Sequence, residues 1–155
     1  MDVSIREARP AELDAVRALI EEYVHSLGID LSFQEVDAEL ADLASAYGPP
    51  GGRILVAVTA DGVAGCVALR PLEDAACEMK RLYVRPGHRG AGLGKRLALA
   101  AIDTARELGY VRMRIDTLPQ MKAARKLYAE LGFREIAPYR FNPVGGTAFM
   151  ELALR

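Results

Sequence analysis

The chain has 155 residues, 51% hydrophobic and 26% charged, the balance of one soluble globular domain over residues 1–155 with a buried core. With 20 Lys and Arg against 21 Asp and Glu, the net charge is −1, which excludes the general basic field of a nucleic-acid binder. No apolar run approaches the roughly 18 residues of a membrane span, and the charged start "MDVSIREARP" lacks an apolar signal core, so a cytoplasmic location is expected.

In chain order, "VSIREA" alternates as a first strand. Pro10 suits the first position of a helix, and Leu13, Val16, Ile20, Val24 and Leu27 follow at helical spacing. A second helix is expected from Phe33 to Tyr47 after the turn "GIDLS", with Ser32 as its N-cap toward Glu35. "GPPGG" then reads as a loop, and "RILVAVTADGVAGCVALRPL" as two strands turning around Asp61-Gly62. The next strand runs from Ala76 to Val84 and is stopped by Pro86. Residues 92–109 form the best-defined helix, with Gly109 just past its end. "YVRMRIDT" alternates as a strand, Pro119 opens a further helix that closes at Gly132, and "FREIA" and "TAFMELAL" supply two last strands around "PYRFNPVGG". The order β-α-α-β-β-β-α-β-α-β-β predicts an α/β fold: one sheet of mixed direction with helices on its faces.

Cys66 and Cys77 lack CxxC spacing and fall in strand-like runs joined by a short turn, a placement that allows them to face each other. Two reduced, packing thiols are expected. His25 and His88 stand at no ligand spacing from them, so no metal site is expected.

The segment "RPGHRGAGLGKRL" concentrates glycine and positive charge between a strand and a helix, and three phosphate-binding patterns compete for it. A P-loop needs GxxxxGK[ST], but Arg89 replaces its first glycine and Arg96 its hydroxyl residue. A dinucleotide fingerprint needs GxGxxG; Gly90 and Gly92 are followed by Lys95, and Gly92 and Gly94 by Leu97. The third pattern, [RQ]xxGx[GA], fits Arg89-Gly90-Ala91-Gly92-Leu93-Gly94 at every specified position. Small residues let the backbone approach a ligand, and free N–H groups at a helix start favour a pyrophosphate, with Arg89 and Lys95 adding charge. A solvated glycine-rich turn is the plain structural alternative.

With "EMKRLYVRPGHRGAGLGKRL" followed at one helix and one strand by "AARKLYAELGF", the chain resembles the GNAT superfamily of acetyl-CoA-dependent N-acetyltransferases. The string "LPQMKAARKLYAELGF…NPVGGTAFMEL" is similar to a bacterial branch whose substrates are mostly unassigned. The resemblance covers nearly the whole chain. It implies a mixed, mostly antiparallel central sheet flanked by helices and splayed at the strand before the glycine-rich loop. It implies acetyl-CoA as cosubstrate, with the pantetheine arm along the backbone of Leu82, Tyr83 and Val84 and the pyrophosphate on Arg89, Gly90, Ala91, Gly92, Leu93, Gly94 and Lys95. It implies further cofactor contact at Ala124.

The chemistry implied is direct acyl transfer to a primary amine of a small molecule or peptide. A lysine-like amine has a pKa near 10.4, so freeing its lone pair at pH 7 costs about 4–5 kcal/mol. A carboxylate can take that proton, and Glu78 stands where many family members place one. On a regular strand Glu78 shares a face with Lys80, Leu82 and Val84; a strand glutamate paired with Lys80 or Arg81 is the bland alternative. Tyr128, in "KLYAELGF", occupies the family's general-acid position, and a backbone N–H of the Leu82–Val84 segment would hold the oxyanion.

Met121 stands where many members carry a cofactor-contacting asparagine, which shifts that contact to backbone groups, Lys122 or Arg125. Tyr139, Arg140 and Asn142 lie in a segment that often lines the acceptor pocket, His25 near a region where family substrates lie, and His88 within the loop. The final strand suits either an internal place in the sheet or the edge of a homodimer. The rival reading, from a different class, is a catalytically silent CoA-binding regulatory module.

Overall fold

A computed structural model describes residues 2–28 and 35–155. The elements are β1 (Ser4–Glu7), α1 (Leu13–Leu27), α2 (Val36–Ala41), α3 (Leu43–Tyr47), β2 (Arg53–Thr59), β3 (Gly62–Pro71), β4 (Ala76–Val84), α4 (Leu93–Glu107), β5 (Arg112–Thr117), α5 (Lys122–Glu130), β6 (Arg134–Ile136) and β7 (Ala148–Ala153). The seven strands form one sheet in the order β1-β2-β3-β4-β5-β7-β6. Every neighbouring pair is antiparallel except β4 and β5.

Both faces of the sheet are covered, so the central strands are apolar in both registers. Leu55, Val67, Leu69, Cys77 and Met79 pack against Leu97, Ala98, Ala101 and Ile102 of α4. Ile54, Val56, Cys66 and Ala68 pack on the other face against Val16, Leu19 and Ile20 of α1 and Leu43 and Tyr47 of α3. Cys66 and Cys77 therefore lie on opposite faces: Cys66 is opposite Tyr83 and Cys77 opposite Pro71, so the two thiols do not meet. β7 lies between β5 and β6, the internal place of the two that the sequence allowed.

The expected helix from Phe33 to Tyr47 is two short helices. Its first residues and the Ser32 cap lie outside the described residues, and Asp42 (φ −150, ψ 79) breaks the remainder. The break has a local cause: the Asp42 carboxylate accepts from the Ser45 N–H at 3.1 Å and hydroxyl at 2.8 Å, capping α3. Pro119 does not open α5 either. It sits in a turn closed by Met121 N–H to Leu118 O at 3.0 Å, and the helix begins at Lys122.

β4 departs from a regular, fully paired strand in two ways. Its parallel pairing with β5 covers only Ala76, Cys77 and Glu78, after which the two strands part. On its other side, three residue steps from Lys80 to Tyr83 oppose two from Ala68 to Cys66, a β-bulge in which Arg81 adopts φ +61. A non-glycine residue there costs on the order of 1–2 kcal/mol. The bulge flips the alternation, so Leu82 and Val84 pack with the α4-side core, and Tyr83 with the α1 side. The expectation that Glu78 shares its face with Leu82 and Val84 fails for this reason.

Candidate active site

The parting of β4 and β5 opens a groove of about 450 Å³ between β4 and the start of α5. Leu82, Tyr83 and Val84 wall one side, Lys122, Ala123, Ala124 and Leu127 the other, and Arg89 and Gly94 stand at its mouth. The exposed strand edge offers backbone groups that β5 no longer pairs.

At the mouth, Gly92 takes φ +76 and no side chain caps α4. The first intrahelical bond runs from Arg96 N–H to Gly92 O at 3.1 Å, leaving the N–H groups of Leu93, Gly94 and Lys95 without a helical acceptor. A Cβ placed on Gly90, Gly92 or Gly94 would meet nothing within 4 Å, so the loop is open on its outer side. Together with the helix dipole these free N–H groups make a helix start suited to an anion. Lys95 is exposed beside it. Arg89 is folded back: its Nε donates to Val84 O at 2.9 Å and its guanidinium lies 5.4 Å from the centre of the Tyr83 ring.

The α5 start is likewise uncapped at Met121, whose sulfur accepts from the Tyr23 hydroxyl at 3.7 Å. Of the two side chains expected to replace the missing asparagine, Lys122 lines the groove. Arg125 is committed elsewhere, donating to Thr117 Oγ1 and Thr117 O, each at 2.9 Å, and to Gly146 O.

The inner end of the groove passes into a smaller cavity that shares Tyr23, Leu27, Leu82 and Met121 with it. Lys80, Arg81, Asp116 and Tyr128 complete the polar part of its wall. "LYAELGF" explains why Tyr128 is fixed there. Gly132 (φ +102) ends α5, with Gly132 N–H on Ala129 O at 3.1 Å and Phe133 N–H on Tyr128 O at 3.0 Å. These paired hydrogen bonds bring the residue after the glycine onto the last turn, and the Phe133 and Tyr128 rings meet at 5.5 Å. Burial, then Tyr23 and Asp116, push the Tyr128 phenol above its ordinary range, so it is protonated at neutral pH.

Two of these residues each carry a buried polar atom with no hydrogen-bond partner among the described residues, Lys80 Nζ and Asp116 Oδ2. Lys80 is 6% exposed. Burial, then Arg81, lower its ammonium pKa to about 8 against the opposing charges of Glu78 and Asp116. Sequence reasoning points to neither residue as functional. Asp116 carries no motif signal, and Lys80 enters only as a partner for Glu78.

Glu78 is fully buried, and both of its oxygens are engaged. Arg70 Nε and Nη2 donate to Oε1 at 3.0 Å, the Tyr139 hydroxyl donates to Oε2 at 2.6 Å, and Arg140 pairs with Oε2. Burial works against its charge, but Lys80, Arg140 and Tyr139 outweigh it and hold the carboxyl below the usual carboxylate range. Beside it, Arg81 and Glu39 form a buried two-bond ion pair at 2.8 and 2.9 Å, which turns the bulge toward α2. Tyr139 and Arg140 thus join the site through Glu78. Asn142 instead accepts from Val144 N–H within its own loop at 2.9 Å. His25 is exposed in the last turn of α1, and His88 lies in the short turn after β4. Among the described residues no cluster of three His, Cys, Asp or Glu side chains could hold a metal ion, and no helix is long and apolar enough to cross a membrane.

The sequence profile of the acetyltransferase (GNAT) family matches residues 15–133. An uncharacterized N-acetyltransferase of Schizosaccharomyces pombe is 44% identical over 94% of this chain and 90% of its own length, so relatives extend beyond bacteria. A GNAT-family acetyltransferase of Staphylococcus aureus Mu50 superposes with a TM-score of 0.80 over 99% of this chain and 100% of its own, at 22% identity. YncA of Salmonella typhimurium, solved with its cofactor acetyl-CoA, superposes with a TM-score of 0.71 at 25% identity, over 100% of this chain and 95% of its own.

Proposed function

The chain belongs to the GNAT family of N-acetyltransferases, and from that premise we propose that it moves an acetyl group from acetyl-CoA directly onto a primary amine of a small molecule or peptide. The observation that carries this reading is a single groove with the uncapped α4 start at one end and the Tyr128 and Asp116 cavity at the other. Leu93, Gly94 and Lys95 N–H groups hold the pyrophosphate, with Arg89, Gly90, Ala91 and Gly92 shaping the turn. The free edge of β4 at Leu82, Tyr83 and Val84 receives the pantetheine amides, and Ala124 packs against the arm. Acetyl-CoA supplies an acyl carbon whose leaving group is a thiolate.

In this mechanism Asp116 takes the ammonium proton of the acceptor, because it is the carboxylate residue that lines the cavity and its Oδ2 has no partner among the described residues. Glu78, expected to be the base, holds Arg70, Tyr139 and Arg140 instead. A carboxylate with both oxygens on cations and a pKa below the ordinary range is a poor proton acceptor. Tyr128 donates its proton to the departing sulfur, and its raised pKa keeps that proton available at neutral pH. A free N–H of the β4 edge stabilises negative charge on the acyl oxygen.

A screen of amines for acetyl-CoA-dependent thiol release, followed by the mass of the product, tests the reading. An acetylated amine with stoichiometric free CoA is expected. Acetyl-CoA binding with no turnover on any amine leaves the regulatory module instead.

A further inference from the structure

Resting on the transferase reading, the inner cavity says what kind of amine is accepted. Lys80 and Asp116 line the same cavity, and among the described residues the Lys80 ammonium and the Asp116 Oδ2 bond neither each other nor any other group. Lys80 is only 6% exposed, and a buried ammonium with no hydrogen bond is unfavourable by several kcal/mol. The groups around it do not relieve that. Glu78 on the same strand is already shared by Arg70 and Arg140, and Arg81 is bound to Glu39. Tyr23 of α1 and Tyr128 of α5, the other polar side chains of the wall, carry phenols rather than charge at neutral pH.

We propose that the acceptor is a free amino acid, its amine directed to Asp116 and its carboxylate to Lys80. A paired positive and negative group, each lacking a partner in one small cavity, is the complement of a zwitterion. The cavity itself, about 30 Å³, has room for about two waters, which the two oxygens of one carboxylate replace. It does not admit a whole amino acid, so the charged head enters and the side chain stays toward the shared mouth at Leu27 and Met121. The site therefore reads the head group more strictly than the side chain. Amines of similar size that lack a carboxylate leave Lys80 unpaired and are rejected.

The experiment compares alanine, methionine, glutamate and phenylalanine with their carboxamides and their decarboxylated amines, scoring thiol release and product mass. For at least one amino acid, kcat/KM should exceed that of its carboxamide and amine by about ten- to a hundred-fold, the worth of a charge-assisted contact. In Lys80→Met that ratio should collapse to about two-fold or less, while acetyl-CoA affinity by calorimetry stays close to wild type and the melting temperature holds or rises, because the unpartnered ammonium is gone. Carboxamides and amines used as well as the acids by the wild type would overturn the inference without any variant. So would a Lys80→Met enzyme that loses turnover equally on acids and amines, which would make Lys80 a stabiliser of the acyl oxygen. Thiol release with a polyamine or peptide but with no amino acid overturns this inference alone. No release with any amine overturns the transferase reading beneath it.

Discussion

Tyr128→Phe separates chemistry from folding at one atom. The phenol ring is 5% exposed and packs on Phe133 at 5.5 Å, and its backbone carbonyl receives Phe133 N–H at 3.0 Å. Phenylalanine keeps both. The hydroxyl bonds to no atom among the described residues, so its removal leaves no orphaned partner and should change stability by less than about 1 kcal/mol. If that hydroxyl protonates the departing sulfur, losing it should lower kcat by about 10²–10⁴, equivalent to roughly 2.7–5.4 kcal/mol of barrier. The assay follows free CoA thiol under saturating acetyl-CoA and acceptor, with calorimetry for acetyl-CoA affinity and thermal unfolding alongside. The raised phenol pKa keeps the group protonated into alkaline pH, so an alkaline limb of the wild-type profile should persist in the variant. A kcat within about three-fold of wild type refutes the acid role. So does a loss matched by a fall in melting temperature, which would make Tyr128 a packing residue.

Asp116→Asn should lower kcat by about a hundred-fold or more. If instead Glu78→Gln causes that loss and Asp116→Asn does not, the base is Glu78. Gly94→Ala should move two quantities in opposite senses: its Cβ meets nothing within 4 Å and favours the helix by up to about 1 kcal/mol, yet it projects where the cofactor approaches. A rise in acetyl-CoA Kd with no loss of melting temperature is expected; an unchanged Kd removes Gly94 from the proposed pyrophosphate site. Glu39→Gln removes the charge that both Arg81 bonds reach and should cost about 1.5–3 kcal/mol by denaturant unfolding, and an unchanged stability would contradict it. Burial acts against the Glu39 charge, but Arg81 outweighs it and holds the carboxyl below its ordinary value. Its stabilisation is therefore present above the unfolded value of about 4.3 and is lost as pH falls through the folded one, a dependence the variant should lack.

The candidate donor half of the site could be proposed from the sequence because its parts are contiguous. Arg89 to Lys95 make the turn and the helix start from one short run, and Gly132 fixes Tyr128 through hydrogen bonds that span only a few residues. Short-range geometry of this kind is decided by which residues tolerate positive φ and which helix N–H groups are left uncapped. The strands themselves, from Ser4–Glu7 to Ala148–Ala153, were legible as apolar, β-rich runs between turn residues. The acceptor half could not be read this way. Arg81 at φ +61 is not a turn-former, and at the bulge its guanidinium is bonded to Glu39, 42 residues earlier. That bulge reverses which face Leu82 and Val84 occupy. Glu78 looked like a base until Arg70, Tyr139 and Arg140, from β3 and the loop before β7, converged on it. Lys80 and Asp116 became notable only when the parting of β4 from β5 left both without partners. The sequence by itself determined the glycine-rich turn and the uncapped start of α4, because their geometry is set by local backbone. Only the tertiary structure decided the acceptor side, because charges there are paired or left unpaired by strands and loops that meet in space.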